Sequence, residues 1–147
     1  MFKLIFKDES SQFNQYYKKG EIGDSVEGVI IIDDYHETFL SSTYIERSLY
    51  KNQWNEAYKL LENSNTSAFI TDYYGHHDKW DFCGEWWILY KDIKKNKILI
   101  KNEWIPKYFN KTKFCFTNWQ GFLPKYSNDD AQIWEINKNY SNDKMLP

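Results

Sequence analysis

Trp86-Trp87-Ile88-Leu89-Tyr90 and Lys97-Ile98-Leu99-Ile100 flank the polar connector Asp92-Ile93-Lys94-Lys95-Asn96, and this stretch decides the fold. Both flanks are short and rich in β-branched and aromatic residues, which pack well on a pleated surface. Asp and Asn in the connector supply turn chemistry, so the segment reads as an antiparallel hairpin. Upstream, Ser67-Ala68-Phe69-Ile70-Thr71-Asp72-Tyr73-Tyr74 alternates loosely and adds a third strand, followed by a polar loop over residues 75–84. Downstream, Trp104-Ile105-Pro106 closes the hairpin region, Phe114-Cys115-Phe116 reads as a short strand, and Gln132-Ile133-Trp134-Glu135-Ile136 alternates as a last one. The polar tail from Asn137 is expected to fray.

Earlier in the chain, Leu49, Tyr50, Trp54, Ala57, Tyr58, Leu60 and Leu61 recur at spacings of three and four, the mark of an amphipathic helix. Ser42 and Thr43 stand ready as N-caps, with Glu46 three residues after Thr43 as a capping box requires. Asn63-Ser64-Asn65-Thr66 ends the helix without a glycine. Further upstream, Phe2-Lys3-Leu4-Ile5-Phe6 reads as a strand and residues 10–20 as loop or a poorly formed helix. Val26-Glu27-Gly28-Val29-Ile30-Ile31-Ile32 is almost continuously apolar, as in a strand buried on both faces. Asp33-Asp34-Tyr35-His36 makes a turn, and Glu37-Thr38-Phe39-Leu40 returns. The expected architecture is α+β: a twisted antiparallel sheet of about six to eight strands with one principal amphipathic helix packed on it.

A chain of 147 residues with no interdomain linker or repeat fits one domain, residues 1–147. Aromatic residues make up 20% of it, far more than disorder tolerates. A net charge of −2 gives no electrostatic footprint for nucleic acid or a membrane surface. The apolar start at Phe2–Phe6 is too short for a signal peptide, and no apolar run is long enough to span a bilayer, so a cytoplasmic location is expected. Cys83 and Cys115 stand 32 residues apart without a CxxC partner and are expected as two reduced thiols.

No catalytic apparatus emerges. His36, His76 and His77 are the three histidines, and His76-His77-Asp78 lacks the spacing that brings ligands to one metal ion. Neither GxSxG, a P-loop nor GxGxxG occurs, and Cys83 near His76 in sequence does not make a thiol–imidazole pair. We therefore expect no enzyme, no metal and no cofactor. Trp54, Trp86, Trp87 and Trp134 fall in elements and read as core; Trp80 and Trp119 sit in loop-like surroundings and read as surface anchors. Residues 1–46 carry four lysines against nine acids, with Glu21, Asp24, Glu27, Asp33, Asp34 and Glu37 recurring. Such a cluster is either a face that steers a basic partner or a solvated edge.

The runs Gly28-Val29-Ile30-Ile31-Ile32-Asp33-Asp34-Tyr35-His36-Glu37, Tyr50-Lys51-Asn52-Gln53-Trp54-Asn55-Glu56-Ala57, Ser67-Ala68-Phe69-Ile70-Thr71 and Trp87-Ile88-Leu89-Tyr90 carry a likeness. In this order the chain resembles the CdiI immunity proteins of contact-dependent growth inhibition systems, most of all those paired with ribonuclease A-like toxin domains. The likeness spans residues 26–104 and reaches Ile133-Trp134-Glu135, while residues 75–84 and 107–130 stand outside it. It implies a cytoplasmic protein that binds the C-terminal toxin domain of a CdiA effector as a 1:1 heterodimer, covering its active site, with no nucleic acid or membrane of its own. Toxin contact is expected from Asp33, Asp34 and Glu37 and from Asp72, Tyr74, Asp78 and Trp80, polar segments beside confident strands with an aromatic anchor. The alternative is a carbohydrate- or nucleic-acid-binding β domain without a toxin partner.

Overall fold

The structure is a computed structural model, and it describes residues 1–7, 25–109, 111–128 and 133–137. Its strands are β1 (Phe2–Phe6), β2 (Ser25–Ile32), β3 (Tyr35–Ser42), β4 (Thr66–Tyr73), β5 (Phe82–Asp92), β6 (Lys97–Pro106), β7 (Tyr108–Phe109), β8 (Thr112–Lys113) and β9 (Ile133–Asn137). Helix α1 (Arg47–Asn63) separates β3 from β4, and a 3-10 helix (Phe116–Phe122) precedes β9. The fold is α+β, as expected. The strands form not one sheet but a three-stranded sheet β1-β2-β3, a four-stranded sheet β4-β5-β6-β9 and the small β7-β8 ribbon, all antiparallel.

The β5–β6 hairpin is the spine of the second sheet, paired from Phe82↔Pro106 to Asp92↔Lys97. Its loop, residues 93–96, closes with Asn96 in the left-handed region (φ 52°) and the Asp92 carboxylate accepting the Lys95 N–H at 3.1 Å. β5 starts at Phe82, so the expected loop over residues 75–84 is shorter than its polarity suggests. One face of this sheet receives the first sheet and α1: Phe69 packs on Phe2 and Tyr58, with ring centroids 4.9 and 4.7 Å apart. The opposite face is covered from the segments 107–109 and 111–128, through Phe114 on Trp86 and Tyr126 on Tyr90.

The first sheet is half-buried rather than enclosed. Along β2 burial alternates, with Val26, Ile30 and Ile32 inside and Val29 and Ile31 only partly covered, which corrects the expectation of a strand buried on both faces. Large β-branched residues therefore stand on both faces, although one face alone meets the core. The turn into β3 is also tighter than Asp33–His36. Ile32 pairs with Tyr35, leaving Asp33-Asp34 as a two-residue turn in which Asp33 takes φ 51°, a conformation Asp tolerates.

Helix α1 buries Tyr50, Gln53, Trp54, Ala57, Tyr58 and Leu61, a stripe at i, i+3, i+4, i+7, i+8 and i+11. Leu49 lies off the stripe and is exposed, and Leu60 is half-buried. The expected capping box does not form. The helix begins at Arg47 with Glu46 as an N-cap that makes no side-chain cap bond. Ser42 is instead the last residue of β3, where its Oγ accepts the Tyr44 N–H and its own N–H donates to Asp72 at 2.8 Å. Hydrogen bonds from the end of β3 to β4 outcompete a local cap.

The segment after β6 departs most from expectation. Phe114–Phe116 is no strand; Phe114 plugs the core, and Phe116 opens the 3-10 helix. Trp119 is not a surface anchor: it is 2% exposed, and its Nε1 donates to Glu56 of α1 at 3.2 Å. Both thiols are free, Cys83 buried and Cys115 exposed. The reading of residues 10–20, of Asp129-Asp130, of Gln132 and of the tail beyond Asn137 lies outside the described residues. Among the described residues no helix is long and apolar enough to cross a membrane.

Candidate functional site

A groove of about 710 Å³ opens where the end of β3 meets the ends of β4, β5 and β6. Leu40 and Ser42 of β3 and Ser25 of β2 form one side. Asp72 and Tyr74 lie across from them, followed by the loop and strand start Lys79-Trp80-Asp81-Phe82 and by Trp104 of β6. Four of these apolar side chains are left in water: Leu40 is 53% exposed, Trp80 40%, Phe82 41% and Trp104 55%. A monomeric surface rarely gathers so much aromatic area in one place without using it.

Backbone geometry places each wall. Gly84 pairs with Ile105 beside an irregularity in the β5–β6 register, and a side chain there would collide with the Asp72 carbonyl. The β4–β5 register shifts between Ile70 and Asp72, and such a bulge re-aims the residues that follow it. Phe82 and Trp104 stack at 6.1 Å, and Tyr74 meets Trp80 edge-on at 5.0 Å. The ring of His77 lies 4.6 Å from that of Trp80, and the Trp80 N–H donates to the His77 carbonyl, so the loop tip is braced rather than loose.

The floor is acidic. Burial pushes the Asp72 carboxyl up to about 7; the neighbouring Glu85 charge adds to the rise, while the Ser42 N–H works against it. Glu85, the register partner of Asp72, is raised mainly by burial and also by Glu37, against a hydrogen bond donated by Thr71 Oγ1 at 2.9 Å. Burial likewise pushes Tyr74 up to about 12, with the charges of Asp72, Cys83 and Glu85 contributing. Cys83 is pushed up to about 12 by burial, so it is a thiol rather than a nucleophilic thiolate near neutral pH. An aromatic-walled groove with carboxylates at its base can hold a cationic, partly apolar side chain.

The seven expected contact residues are not gathered in one patch. Asp72, Tyr74 and Trp80 line the groove. Asp78 is on the same loop, fully exposed, 4.0 Å from the Lys107 ammonium. Glu37 is on the inward face of β3, accepting the Tyr35 hydroxyl at 2.6 Å and lying close enough to Glu85 to raise it. Asp33 and Asp34 form the turn at the other end of β3, roughly 20 Å from Leu40 at the rise of an antiparallel strand. There the Asp33 carboxylate is paired with the Met1 ammonium. Leu40, Phe82 and Trp104 were not among the expected residues. Leu40 had a signal: beside buried Phe39 it must point to the opposite face. Phe82 was hidden by its apparent place in a loop, and Trp104 by its place at a strand end.

No family model matches the chain. Among curated proteins, Protein Ycf2 of Anthoceros angustus is 29% identical over 107 residues, 71% of this chain. The chain spans 4% of that protein's length. Among solved structures, a chain of the CdiA-CT/CdiI toxin and immunity complex from Enterobacter cloacae matches with a TM-score of 0.71 at 23% identity, over 95% of this chain and 92% of that one. The two chains share a fold.

Proposed function

We propose that this chain is an immunity protein of a contact-dependent growth inhibition system, which binds and neutralises the cognate C-terminal toxin domain of a CdiA effector. The observation that carries the reading is the fold shared along 95% of the chain with a member of a toxin–immunity complex, in agreement with the likeness of residues 26–104 to CdiI proteins. The groove supports it on physical grounds. Hot spots in protein interfaces are aromatic anchors and desolvated charged groups near the centre of a patch. Trp80, Phe82 and Trp104 around Asp72 supply that combination. A toxin that cleaves nucleic acid needs a basic surface to hold phosphates, and a carboxylate-floored groove complements such a surface. The reading assigns the protein a cytoplasmic place, one bound toxin domain per chain and no chemical step of its own.

A second reading is favoured by one feature of the same groove. Exposed aromatic rings beside carboxylates also suit a carbohydrate, although the carboxylates disfavour a phosphate backbone. The two readings separate in one experiment. The chain is co-expressed in a sensitive cell with the C-terminal domain encoded by the neighbouring upstream reading frame. Rescue of growth that depends on the chain, with a stoichiometric complex on purification, is expected. Cell death despite abundant folded protein, with no complex, would sink the immunity reading for that pair and leave the ligand-binding one.

A further inference from the structure

We infer that the groove beside Asp72 receives an arginine side chain projected from the protein partner, its guanidinium against the carboxylates of Asp72 and Asp81 and its stem and plane against Trp80 and Trp104. The inference rests on the immunity reading and names the chemistry that this face selects. Trp86, Trp87 and Trp119 are buried to within 2%, whereas Trp80 and Trp104 keep 40% and 55% of their surface in water. Among the described tryptophans, the two that stand exposed to water therefore both line this groove.

Charge decides what that place takes. Asp72 and Asp81 face the groove against one ammonium, Lys79, and Glu85 stands behind Asp72 as its register partner. An anionic group would meet net repulsion. A wholly apolar side chain would cover the rings but strip water from two carboxyls without replacing its hydrogen bonds. A lysine would bring charge without a plane. A guanidinium stacks on an indole face while its edge donates a fork of hydrogen bonds to a carboxylate. The cavity exceeds one side chain, leaving room for the apolar neighbours of the arginine against Leu40 and Phe82.

The test uses the full chain with its tryptophan indoles labelled for NMR, titrated with N-acetylarginine amide and with the matching lysine and norleucine amides. Saturable shifts at Trp80 and Trp104 are expected, with the arginine compound binding at least tenfold tighter than norleucine and severalfold tighter than lysine. Asp72→Asn, which keeps an acceptor for the Ser42 N–H, and Trp104→Ala, at a side chain already half in water, should each weaken arginine binding at least fivefold without altering the remaining spectrum. Equal affinities for the three compounds, or no saturation, would overturn the inference. A parallel arm keeps it apart from the immunity reading. If the toxin domain binds the Asp72→Asn, Trp104→Ala double variant as tightly as the parent, the arginine seat is wrong and immunity stands. If the toxin domain fails to bind while the arginine compound is still selected, the groove's chemistry stands and the partner is wrong.

Discussion

Asp72 joins structure to environment at the scale of one residue. Its carboxyl lies at the floor of the groove, accepting the Ser42 N–H, with Glu85 opposite in the register and Tyr74 two residues on. Burial lifts it from 3.8 to about 7. Between those values the folded chain keeps a proton that the unfolded chain has lost, so the unfolded state binds fewer protons and stability falls as pH rises. The stabilisation is whole below about pH 4 and is lost as pH passes through about 7. Glu85 shifts in the same direction. Urea unfolding is therefore expected to give a lower midpoint at pH 7.5 than at pH 5, and Asp72→Asn should flatten that slope. A slope that the substitution leaves intact would assign the effect to other carboxyls.

Elements meet through the outer edge of β4, the end strand of the second sheet, which α1 and the end of β3 cover with side chains rather than by strand pairing. Gln53 reproduces a strand's pairing: its Nε2 donates to the Ala68 carbonyl at 2.8 Å and its Oε1 accepts the Ile70 N–H at 2.9 Å. Trp54 Nε1 donates to the Ile70 carbonyl at 2.8 Å, Ser41 Oγ to the Thr71 carbonyl, and the Tyr50 hydroxyl accepts the Tyr73 N–H at 3.0 Å. An uncovered edge would invite pairing with another chain. Gln53→Leu keeps the volume but leaves a buried carbonyl and a buried N–H without partners, so a loss of about 2–5 kcal/mol is expected from denaturant unfolding. A loss below about 0.5 kcal/mol would mean that water reaches the edge and replaces the amide. A glycine matters in the first sheet for a related reason: the Phe39 ring lies over Gly28, its register partner, in the space a side chain would fill.

Across the whole molecule, an acidic turn, Asp33-Asp34, and an aromatic-walled groove stand at opposite ends of β3. Exposed charges act over distance and are screened by salt, so they govern encounter, whereas desolvated anchors govern how long a complex lasts. With the toxin domain as partner, reversing Asp33 and Asp34 to lysine should slow association and flatten its salt dependence, leaving dissociation nearly unchanged. Trp104→Ala should speed dissociation at least tenfold with little effect on association. Stopped-flow kinetics at two salt concentrations separate these outcomes; an accelerated dissociation in the charge-reversal variant would place the turn inside the interface.

By itself, the sequence determined the elements whose signals are local. Period-two and β-branched patterning located β1, β2, the β5–β6 hairpin and β9, and the three-and-four spacing from Tyr50 to Leu61 located α1. It also singled out Asp72, Tyr74 and Trp80, polar and aromatic residues beside a strand. Only the tertiary structure decided where α1 begins, because Ser42 bonds across to Asp72 rather than capping the helix. It likewise divided the strands between two sheets and buried Trp119 against Glu56, 63 residues away in sequence. Leu40, Phe82 and Trp104 come together from three separate strands. Local pattern records which side of an element is apolar. It does not record which elements meet, since that follows from the packing that best fills the core and satisfies its buried polar groups at once.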